Sequence, residues 1–158
     1  MNNKRQTKET QYNDLLKVQD EIGTQSLGVM MNQVWHDDPR RLAFVLARYK
    51  FVSKMLSGKN KVAELGCGDA FGSRIVLQEV KELHVYDFDP IFVEDINARQ
   101  TERWKLHPHT HDILDGPLKE APFDAIYSLD VMEHIEQAKE HLYVKNLKNS
   151  LSEHGVLI

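Results

Sequence analysis

The sequence predicts an α/β fold, a three-layer sandwich around a mainly parallel sheet, with helices before it. Two observations support this prediction. From residue 61 onward, short apolar segments alternate with longer segments of helical periodicity. Strands that are separated by helices imply right-handed crossovers and a parallel sheet. Before residue 61, apolar residues recur at helical spacing, which predicts N-terminal helices.

The composition predicts one globular domain, and the net charge favours a small-molecule partner over nucleic acid or membrane. A chain of 158 residues, 41% apolar and 28% charged, can form one hydrophobic core. It has no apolar run of about 18 residues that could span a membrane, and its polar N-terminus shows no secretory signal. The net charge of −4 gives no general attraction to nucleic acid or anionic lipid. The single cysteine, Cys67, suits a reducing compartment, so we expect a cytoplasmic protein.

Residues 1–38 are interpreted as a tail followed by a helical, lid-forming segment. Residues 1–10 are polar and are expected to form a loose tail. A short helix is predicted over 11–21. Residues 23–36 are too apolar for a free linker, so we expect them to pack on the domain or on a ligand.

A longer helix is predicted to begin at Pro39, which suits the first helical position, with Asp38 as its cap. Gly58 is expected to stop it. The apolar residues that recur at helical spacing are Leu42, Val45, Leu46, Tyr49, Val52 and Leu56. The other faces carry the basic residues Arg40, Arg41, Arg48, Lys50 and Lys54. We interpret these as a solvated surface in preference to a phosphate- or nucleic-acid-binding patch.

Residues 39–158 are predicted to form the main domain. We predict strands over 61–65, 83–87, 105–111, 123–129 and 156–158, and helices over 72–80, 90–103 and 136–151. Gly155 is expected to end the last helix. The chain stops inside an apolar strand, which would leave an uncovered edge. We therefore expect the sheet to be truncated at its fifth strand and the domain to be incomplete at its C-terminus.

A glycine-containing loop follows the first predicted strand. Gly66 and Gly68 let the backbone turn sharply and approach a ligand without a Cβ in the way. The N-terminus of the next helix favours a ligand carboxylate or phosphate. Taken alone, such a loop is also consistent with a simple tight turn between strand and helix.

Residues around this loop indicate a nucleoside ligand. Asp87 ends the second strand, 21 residues after Gly66, where a carboxylate can accept both hydroxyls of a ribose. Phe88 can cover an adenine face. These features fit a nicotinamide dinucleotide and S-adenosylmethionine alike. Glu64 favours the second, because a carboxylate is unfavourable near a pyrophosphate and favourable near an ammonium group. Phe71 stands where the dinucleotide pattern has its third glycine.

Four ordered motifs carry a resemblance to a known family. They are residues 64–68 (Glu-Leu-Gly-Cys-Gly), 84–87 (His-Val-Tyr-Asp), 111–113 (His-Asp-Ile) and 123–134 (Phe-Asp-Ala-Ile-Tyr-Ser-Leu-Asp-Val-Met-Glu-His). Together they resemble the motifs of class I, Rossmann-like S-adenosylmethionine-dependent methyltransferases over roughly residues 40–158. The chain departs from that pattern at Ala70, where many members have a glycine, and it lacks the family's last strands.

The resemblance implies that the glycine loop holds the methionine part of the cofactor. Gly66 and Gly68 would approach it, and Glu64 would help to hold it. Cys67 belongs to this loop, and we expect it to be a small packed residue and not a nucleophile.

The resemblance also implies the residues that hold the nucleoside part. Asp87 would bind the ribose, beside Phe88. Asp112 would bind the adenine amino group with Ile113 beside the ring, and Leu129 would line the site.

Candidate catalytic residues follow the fourth strand. Asp130, Glu133 and His134 lie beyond its carboxyl end, where parallel sheets bind ligands. Methyl transfer from a sulfonium relies largely on proximity, but a general base helps when the acceptor is a hydroxyl, and His134 is a candidate. The same spacing resembles the metal motif of small-RNA 2′-O-methyltransferases. Because it is also common in family members without a metal, we expect no metal here.

Three histidines, His107, His109 and His111, alternate along the third predicted strand and should face one side. We interpret them as the polar outer face of an edge strand, in preference to a metal cluster. Pro108 supports the edge position, because it cannot donate to a neighbouring strand.

The leading hypothesis is an enzyme that moves a methyl group from S-adenosylmethionine to an O or N atom of a small-molecule or sugar-like acceptor. The alternatives are a non-catalytic cofactor-binding domain, a metal-assisted RNA 2′-O-methyltransferase and, less favoured, a nicotinamide-dependent oxidoreductase. Residues 23–35 are expected to fold over the cofactor as a lid.

Overall fold

The computed structural model describes residues 5–158. Its strands are β1 (Lys61–Leu65), β2 (Glu82–Asp87), β3 (His107–Thr110), β4 (Phe123–Ser128) and β5 (Leu151–Leu157). Its helices are α1 (Asn13–Ile22), α2 (Val29–Asp37), α3 (Pro39–Met55), α4 (Ser73–Leu77), α5 (Pro90–Arg99) and α6 (Glu140–Ser150). The strands form one parallel sheet in the order β3-β2-β1-β4-β5. The predicted α/β fold with N-terminal helices is confirmed.

Helices cover both faces of the sheet, and each face has its own hydrophobic core. The core between the sheet and helices α3, α4 and α5 includes Val52, Val76, Ile96, Val62, Val85 and Tyr127. The core beneath α6 includes Tyr143, Leu147, Ile113, Ala63, Tyr86 and Phe123. Because the central strands are covered on both sides, every residue of β1 and β2 after the first is buried, and burial does not alternate along them.

The helices before the sheet differ in how firmly they pack. The start of α3 is as predicted: Asp38 accepts a hydrogen bond from the N–H of Arg40 at 3.1 Å, and Pro39 is the first helical residue. Helix α2 contacts α3 and buries Met31, whereas α1 buries none of its residues. The first four residues of the predicted tail lie outside the described residues. No helix within residues 5–158 is long and apolar enough to cross a membrane.

Some elements are shorter than the sequence predicts. Helix α4 ends at Leu77 and α5 ends at Arg99. Strand β3 keeps only four residues of the predicted 105–111.

The prediction that Gly155 ends the last helix is wrong. Helix α6 ends earlier, because Leu151 adopts an extended backbone (φ −85°, ψ 150°) and pairs with Phe123 of β4. Gly155 lies inside β5, close to a shift in the β4–β5 register. A Cβ there would lie 3.0 Å from the carbonyl oxygen of Phe123, so glycine permits the two backbones to approach closely.

Side chains of α6 fix the loop that follows β3. The amide Nδ2 of Asn146 donates to the carbonyl of Ile113 at 2.7 Å, and Ser150 Oγ accepts from the N–H of Leu118 at 2.9 Å. Both polar side chains are buried. Helix α6 therefore positions Ile113, one of the residues that the sequence places beside the adenine.

Replacing Asn146 with Ala is expected to lower the free energy of unfolding by about 1–3 kcal/mol, because the Ile113 carbonyl loses a buried donor. Asn149→Ala, on the exposed side of the same helix, is the matched control, with an expected change below about 0.5 kcal/mol. Urea denaturation measures both. Equal stabilities of the Asn146 variant and the unmodified protein would contradict the role assigned to this amide.

Candidate functional site

A cavity of about 690 Å³ opens at the carboxyl ends of β1, β2 and β4. This is the edge at which parallel α/β sheets bind ligands. The predicted site residues that line it are Gly66, Cys67, Gly68, Asp87, Phe88, Asp112, Ile113, Leu129, Asp130 and His134. Glu64 and Glu133 are not part of its wall. Motifs that are distant in sequence thus meet around one cavity.

The glycine loop is held in a conformation that requires both of its glycines. Gly66 and Gly68 have φ angles of 70° and 51°, which L-residues rarely adopt. A Cβ at Gly66 would lie 2.2 Å from Val131 Cγ2, and one at Gly68 would lie 2.3 Å from Met30 Sδ. The N–H of Gly66 donates to the carbonyl of Tyr86 at 2.8 Å, which fixes the loop to β2.

Ala70 stands where many members of the resembling family have a glycine, and it too has a positive φ, of 50°. Its methyl group is buried. A left-handed conformation costs an L-residue roughly 1–2 kcal/mol. The departure in sequence therefore adds local strain without changing the left-handed course of the backbone.

Asp87 is placed to bind a diol. It is 6% exposed and lines the cavity. Its Oδ2 accepts the N–H of Gly68 at 2.9 Å, and its Oδ1 accepts the N–H of Asp89 at 3.0 Å. Each carboxylate oxygen can accept a second hydrogen bond, so both can still bind hydroxyl groups. The neighbouring Phe88 is 73% exposed and offers an aromatic surface to the cavity.

Asp112 presents a carboxylate oxygen to the cavity. Its Oδ1 accepts the N–H of Leu114 at 2.8 Å, and its second oxygen has no partner within residues 5–158. Ile113 beside it is buried and lines the same wall. A donor and a flat apolar ring fit this pair of side chains.

Glu64 has a different environment from the one that the sequence suggests. The sequence places its carboxylate on the cofactor's ammonium group, but in the structure it is 1% exposed and turned away from the cavity. It accepts hydrogen bonds from the hydroxyls of Tyr49 and Tyr127, both at 2.7 Å, and from the hydroxyl of Ser73. Because it is buried and accepts three hydrogen bonds from the protein, it supports the loop from behind.

Cys67 is a packed residue of the loop. It is buried, and burial raises the pKa of its thiol well above the usual value. Because the thiolate is the reactive form of cysteine, this environment opposes a nucleophilic role.

An ion pair crosses the mouth of the cavity beyond β4. Arg48 Nη2 lies 2.6 Å from Asp130 Oδ2, and both residues line the cavity. Asp130 has a φ of 56°, so its backbone is held in a conformation that most residues avoid. His134 also lines the cavity, whereas Glu133 does not. Within residues 5–158, these three residues do not form a group that could share a metal ion.

Two arginines of α3 belong to the site although the sequence analysis placed them on a solvated surface. Arg41 and Arg48 both line the cavity. A signal for this was present, since Arg41, Val45, Arg48 and Tyr49 have the spacing of one helix face, and Val45 and Tyr49 belong to the predicted apolar positions. The solvent-facing interpretation assigns the basic residues to the faces away from the apolar positions, whereas Arg41 and Arg48 share a face with Val45 and Tyr49.

Helix α2 closes one side of the cavity. Its residues Met30, Met31 and Val34 line the wall. Asp69 of the glycine loop, which the sequence analysis missed, accepts the N–H of Met31 at 2.7 Å. Gly28, just before α2, has a φ of 95°, and a Cβ there would lie 2.6 Å from Asp69 Oδ2. The contact therefore ties α2 to the loop.

Burial raises the pKa of Glu64 from the ordinary value of 4.5 to about 7, against the opposing effect of three hydroxyl donors. The folded state therefore binds this proton more tightly than the unfolded chain. The resulting stabilisation is fully present below pH 4.5 and is lost as the pH rises to about 7.

The Glu64→Gln variant keeps the shape of the side chain and cannot ionise. Relative to this variant, the unmodified protein is expected to lose stability between about pH 5 and pH 7 and to change little above that range. Urea denaturation of both proteins across this range measures the difference. A difference that stays constant, or that grows in favour of Glu64 with rising pH, would contradict a raised pKa.

A family model described as "Methyltransferase domain" matches residues 63–157, more than half of the chain. No curated protein matches the chain by sequence.

Solved structures with the same fold include methyltransferases. The N-methyltransferase NodS from Bradyrhizobium japonicum, in complex with S-adenosyl-L-homocysteine, has 24% identity and a TM-score of 0.60, covering 78% of this chain and 62% of its own. An S-adenosylmethionine-dependent methyltransferase from Clostridium acetobutylicum has 18% identity and a TM-score of 0.57, with coverages of 92% and 55%. The sugar N-methyltransferase KedS8 from a Streptoalloteichus species has 17% identity and a TM-score of 0.63, with coverages of 85% and 54%.

The chain thus spans between 54% and 62% of the length of these three structures. The family match confirms the resemblance on which the sequence analysis relied. The chain belongs to the methyltransferase-domain family, with the fold of the class I S-adenosylmethionine-dependent enzymes.

Proposed function

We propose that the chain binds S-adenosylmethionine in the cavity at the carboxyl ends of β1, β2 and β4, and that it transfers the methyl group to an O or N atom of a small-molecule or sugar-like acceptor. The observation that carries this proposal is the meeting of the glycine loop, Asp87 and Asp112 around one cavity. Membership of the methyltransferase-domain family supports the reaction type.

In this proposal the nucleoside lies between β2 and the loop after β3. Asp87 accepts hydrogen bonds from the two ribose hydroxyls, since each of its oxygens keeps an acceptor site. The free oxygen of Asp112 accepts the adenine amino group. Ile113 and the exposed ring of Phe88 pack on the faces of the adenine, and Leu129 completes the wall.

The methionine end lies against the glycine loop, next to Gly66, Cys67 and Gly68. With Glu64 engaged elsewhere, the ion pair of Arg48 and Asp130 supplies the opposite charges that an amino-acid zwitterion requires. We assign the cofactor's carboxylate to Arg48 and its ammonium group to Asp130.

The bound cofactor supplies an electrophilic methyl group on a positively charged sulfur, which leaves as a neutral thioether. The chain's own contribution is to orient the acceptor for an in-line approach and to remove its proton. His134 is the candidate base, because it lines the cavity. Asp130 is assigned to the cofactor's ammonium group, and Glu133 lies outside the wall, so we assign neither of them as the base.

Two observations support a small acceptor. NodS is an N-methyltransferase and KedS8 is a sugar N-methyltransferase. The net charge of −4 opposes binding to a polyanion such as RNA. An amine or hydroxyl on a small polar molecule is the acceptor class that we propose.

The alternatives make different predictions. A metal-assisted RNA methyltransferase would use Asp130, Glu133 and His134 as ligands, and within residues 5–158 these three side chains do not each place a ligand atom within 4.8 Å of the other two. An oxidoreductase would bind NAD more tightly than S-adenosylmethionine. A non-catalytic domain would bind the cofactor but give no turnover with any acceptor.

Titration calorimetry with S-adenosylmethionine and S-adenosylhomocysteine tests the cofactor site. Asp112→Ala is expected to weaken binding of both by about 10- to 150-fold, the equivalent of one hydrogen bond to a charged group. Asp87→Ala is expected to weaken it at least as much. The matched control is Asp115→Ala, an exposed carboxylate in the same loop that does not line the cavity.

The cofactor assignment fails if the folded, unmodified protein binds neither compound, or if it binds NAD more tightly. Equal losses in the Asp112 and Asp115 variants would remove the adenine assignment alone.

The proposed lid has its own test. Gly28→Ala brings a Cβ against Asp69 and should displace α2, weakening S-adenosylmethionine binding by at least about fivefold, or about 1 kcal/mol. Gly23→Ala is the matched control, since Gly23 also has a positive φ, of 72°, but has nothing within 4 Å of the added methyl group. The two variants share backbone strain and differ only in the contact. Similar affinities for the two would show that α2 does not cover the cofactor.

A further inference from the structure

A ladder of aromatic and histidine rings lies on one face of β2 and β3. His84 and Tyr86 share this face with His107 and His109, which lie in register with them. The ring centroid of His84 lies 4.8 Å from that of His107 and 5.1 Å from that of His109. The ring centroids of Tyr86 and His109 are 4.6 Å apart. None of these four residues lines the cofactor cavity.

A line of polar contacts runs through this ladder. Glu82 Oε1 lies 2.6 Å from His84 Nε2, and His84 Nδ1 lies 2.9 Å from His109 Nε2. His109 Nδ1 faces Glu120 Oε1 at 3.7 Å, and the Tyr86 hydroxyl donates to Glu120 Oε2 at 2.7 Å. Because a carboxylate only accepts, the Nε2 of His84 carries its proton and its Nδ1 presents a lone pair.

We propose that His84, His109 and Glu120 form a binding site for one divalent transition-metal ion, with zinc as the expected occupant. One ligand atom from each of the three residues lies within 4.8 Å of the ligand atoms of the other two. Imidazole nitrogen and carboxylate oxygen are the ligands that zinc, cobalt and nickel share. Three protein ligands leave a fourth tetrahedral position for water.

The distance between His84 Nδ1 and His109 Nε2 is close to the separation of two nitrogens bound to one ion. Two imidazole nitrogens bound at about 2.05 Å to a tetrahedral ion lie about 3.3 Å apart, and the nitrogens of His84 and His109 are 2.9 Å apart. The ion displaces the proton between the rings once the two nitrogens move about 0.4 Å farther apart and the rings turn so that both lone pairs point at the ion. That proton moves from Nε2 to Nδ1 of His109, so the ring stays neutral. His109 lies in a short edge strand with a partly exposed side chain and can make this small shift.

The residues around the cluster match the surroundings of metal-bound histidines. Glu82 accepts the other ring N–H of His84, as carboxylates do for metal-ligating histidines, and Tyr86 orients Glu120. The two carboxylates balance the charge of a divalent ion. Lys61, whose Nζ donates to the carbonyl of Glu120, is a nearby cation that reduces the affinity.

The test uses the full chain without an affinity tag, first stripped of metal with a chelator. Zinc is titrated in competition with a chromophoric chelator, and cobalt is added to follow its visible absorption. We expect one ion per chain and a tetrahedral cobalt spectrum. His109→Asn and Glu120→Gln should weaken binding, and Glu82→Gln should weaken it by roughly 10- to 100-fold. His141→Asn, an exposed histidine on α6, is the control and should leave the affinity unchanged.

Circular dichroism establishes whether each variant is folded. If His109→Asn does not fold, the two Glu→Gln variants still test the proposal. The proposal is overturned if the unmodified chain binds no stoichiometric ion, if both Glu→Gln variants bind as tightly as it does, or if His141→Asn lowers the affinity as much as they do. None of these measurements depends on S-adenosylmethionine or on turnover.

Discussion

The structure depends on one buried carboxylate. Glu64 lies in the central strand β1, and the hydroxyls that donate to it come from Tyr49 of α3, Ser73 of α4 and Tyr127 of β4. A buried charged or polar group without partners costs several kcal/mol, so these donors and the carboxylate require one another. The result is a fixed point directly behind the glycine loop, where the sheet and two helices are held by hydrogen bonds as well as by apolar packing.

The hydrogen bonds of Glu64 also help to position the charged residue Arg48 at the cavity. Tyr49 is held by Glu64, and the edge of its ring packs so closely on Gly72 that a Cβ there would lie 2.3 Å away. Helix α3 therefore has little freedom to slide against the start of α4. Arg48, the residue before Tyr49, therefore lies at the cavity and pairs with Asp130. In the proposed binding mode, Glu64 would therefore act on the methionine end of the cofactor through α3 and not by direct contact.

Local sequence patterns predict much of the fold, but they do not predict contacts between residues that are distant in sequence. The order of strands and helices, the cap at Asp38 and the placement of Asp87 follow from periodicity and from spacing to the loop, whereas the placement of Asp112 follows from the family resemblance. The partners of Glu64 could not be predicted, because they lie 15, 9 and 63 residues away and no sequence pattern links a hydroxyl to a particular carboxylate. For the same reason the sequence predicts a solvated Arg48, whereas the structure pairs it with Asp130. The sequence also predicts that Gly155 ends a helix, whereas the pairing of β5 with β4 places Gly155 in a strand.

At the edge of the sheet, side-chain contacts add to the backbone pairing of β3 with β2. Strand β3 has four residues, all in register with β2, and the stacked rings on the two strands add cross-strand side-chain contacts. An ion held by His84, His109 and Glu120 would cross-link the two strands to the segment before β4. Because successive residues of a strand alternate between faces, His84 and Asp87 lie on opposite sides of β2. Such an ion would stiffen the strand that carries the proposed ribose-binding carboxylate without entering the cavity itself.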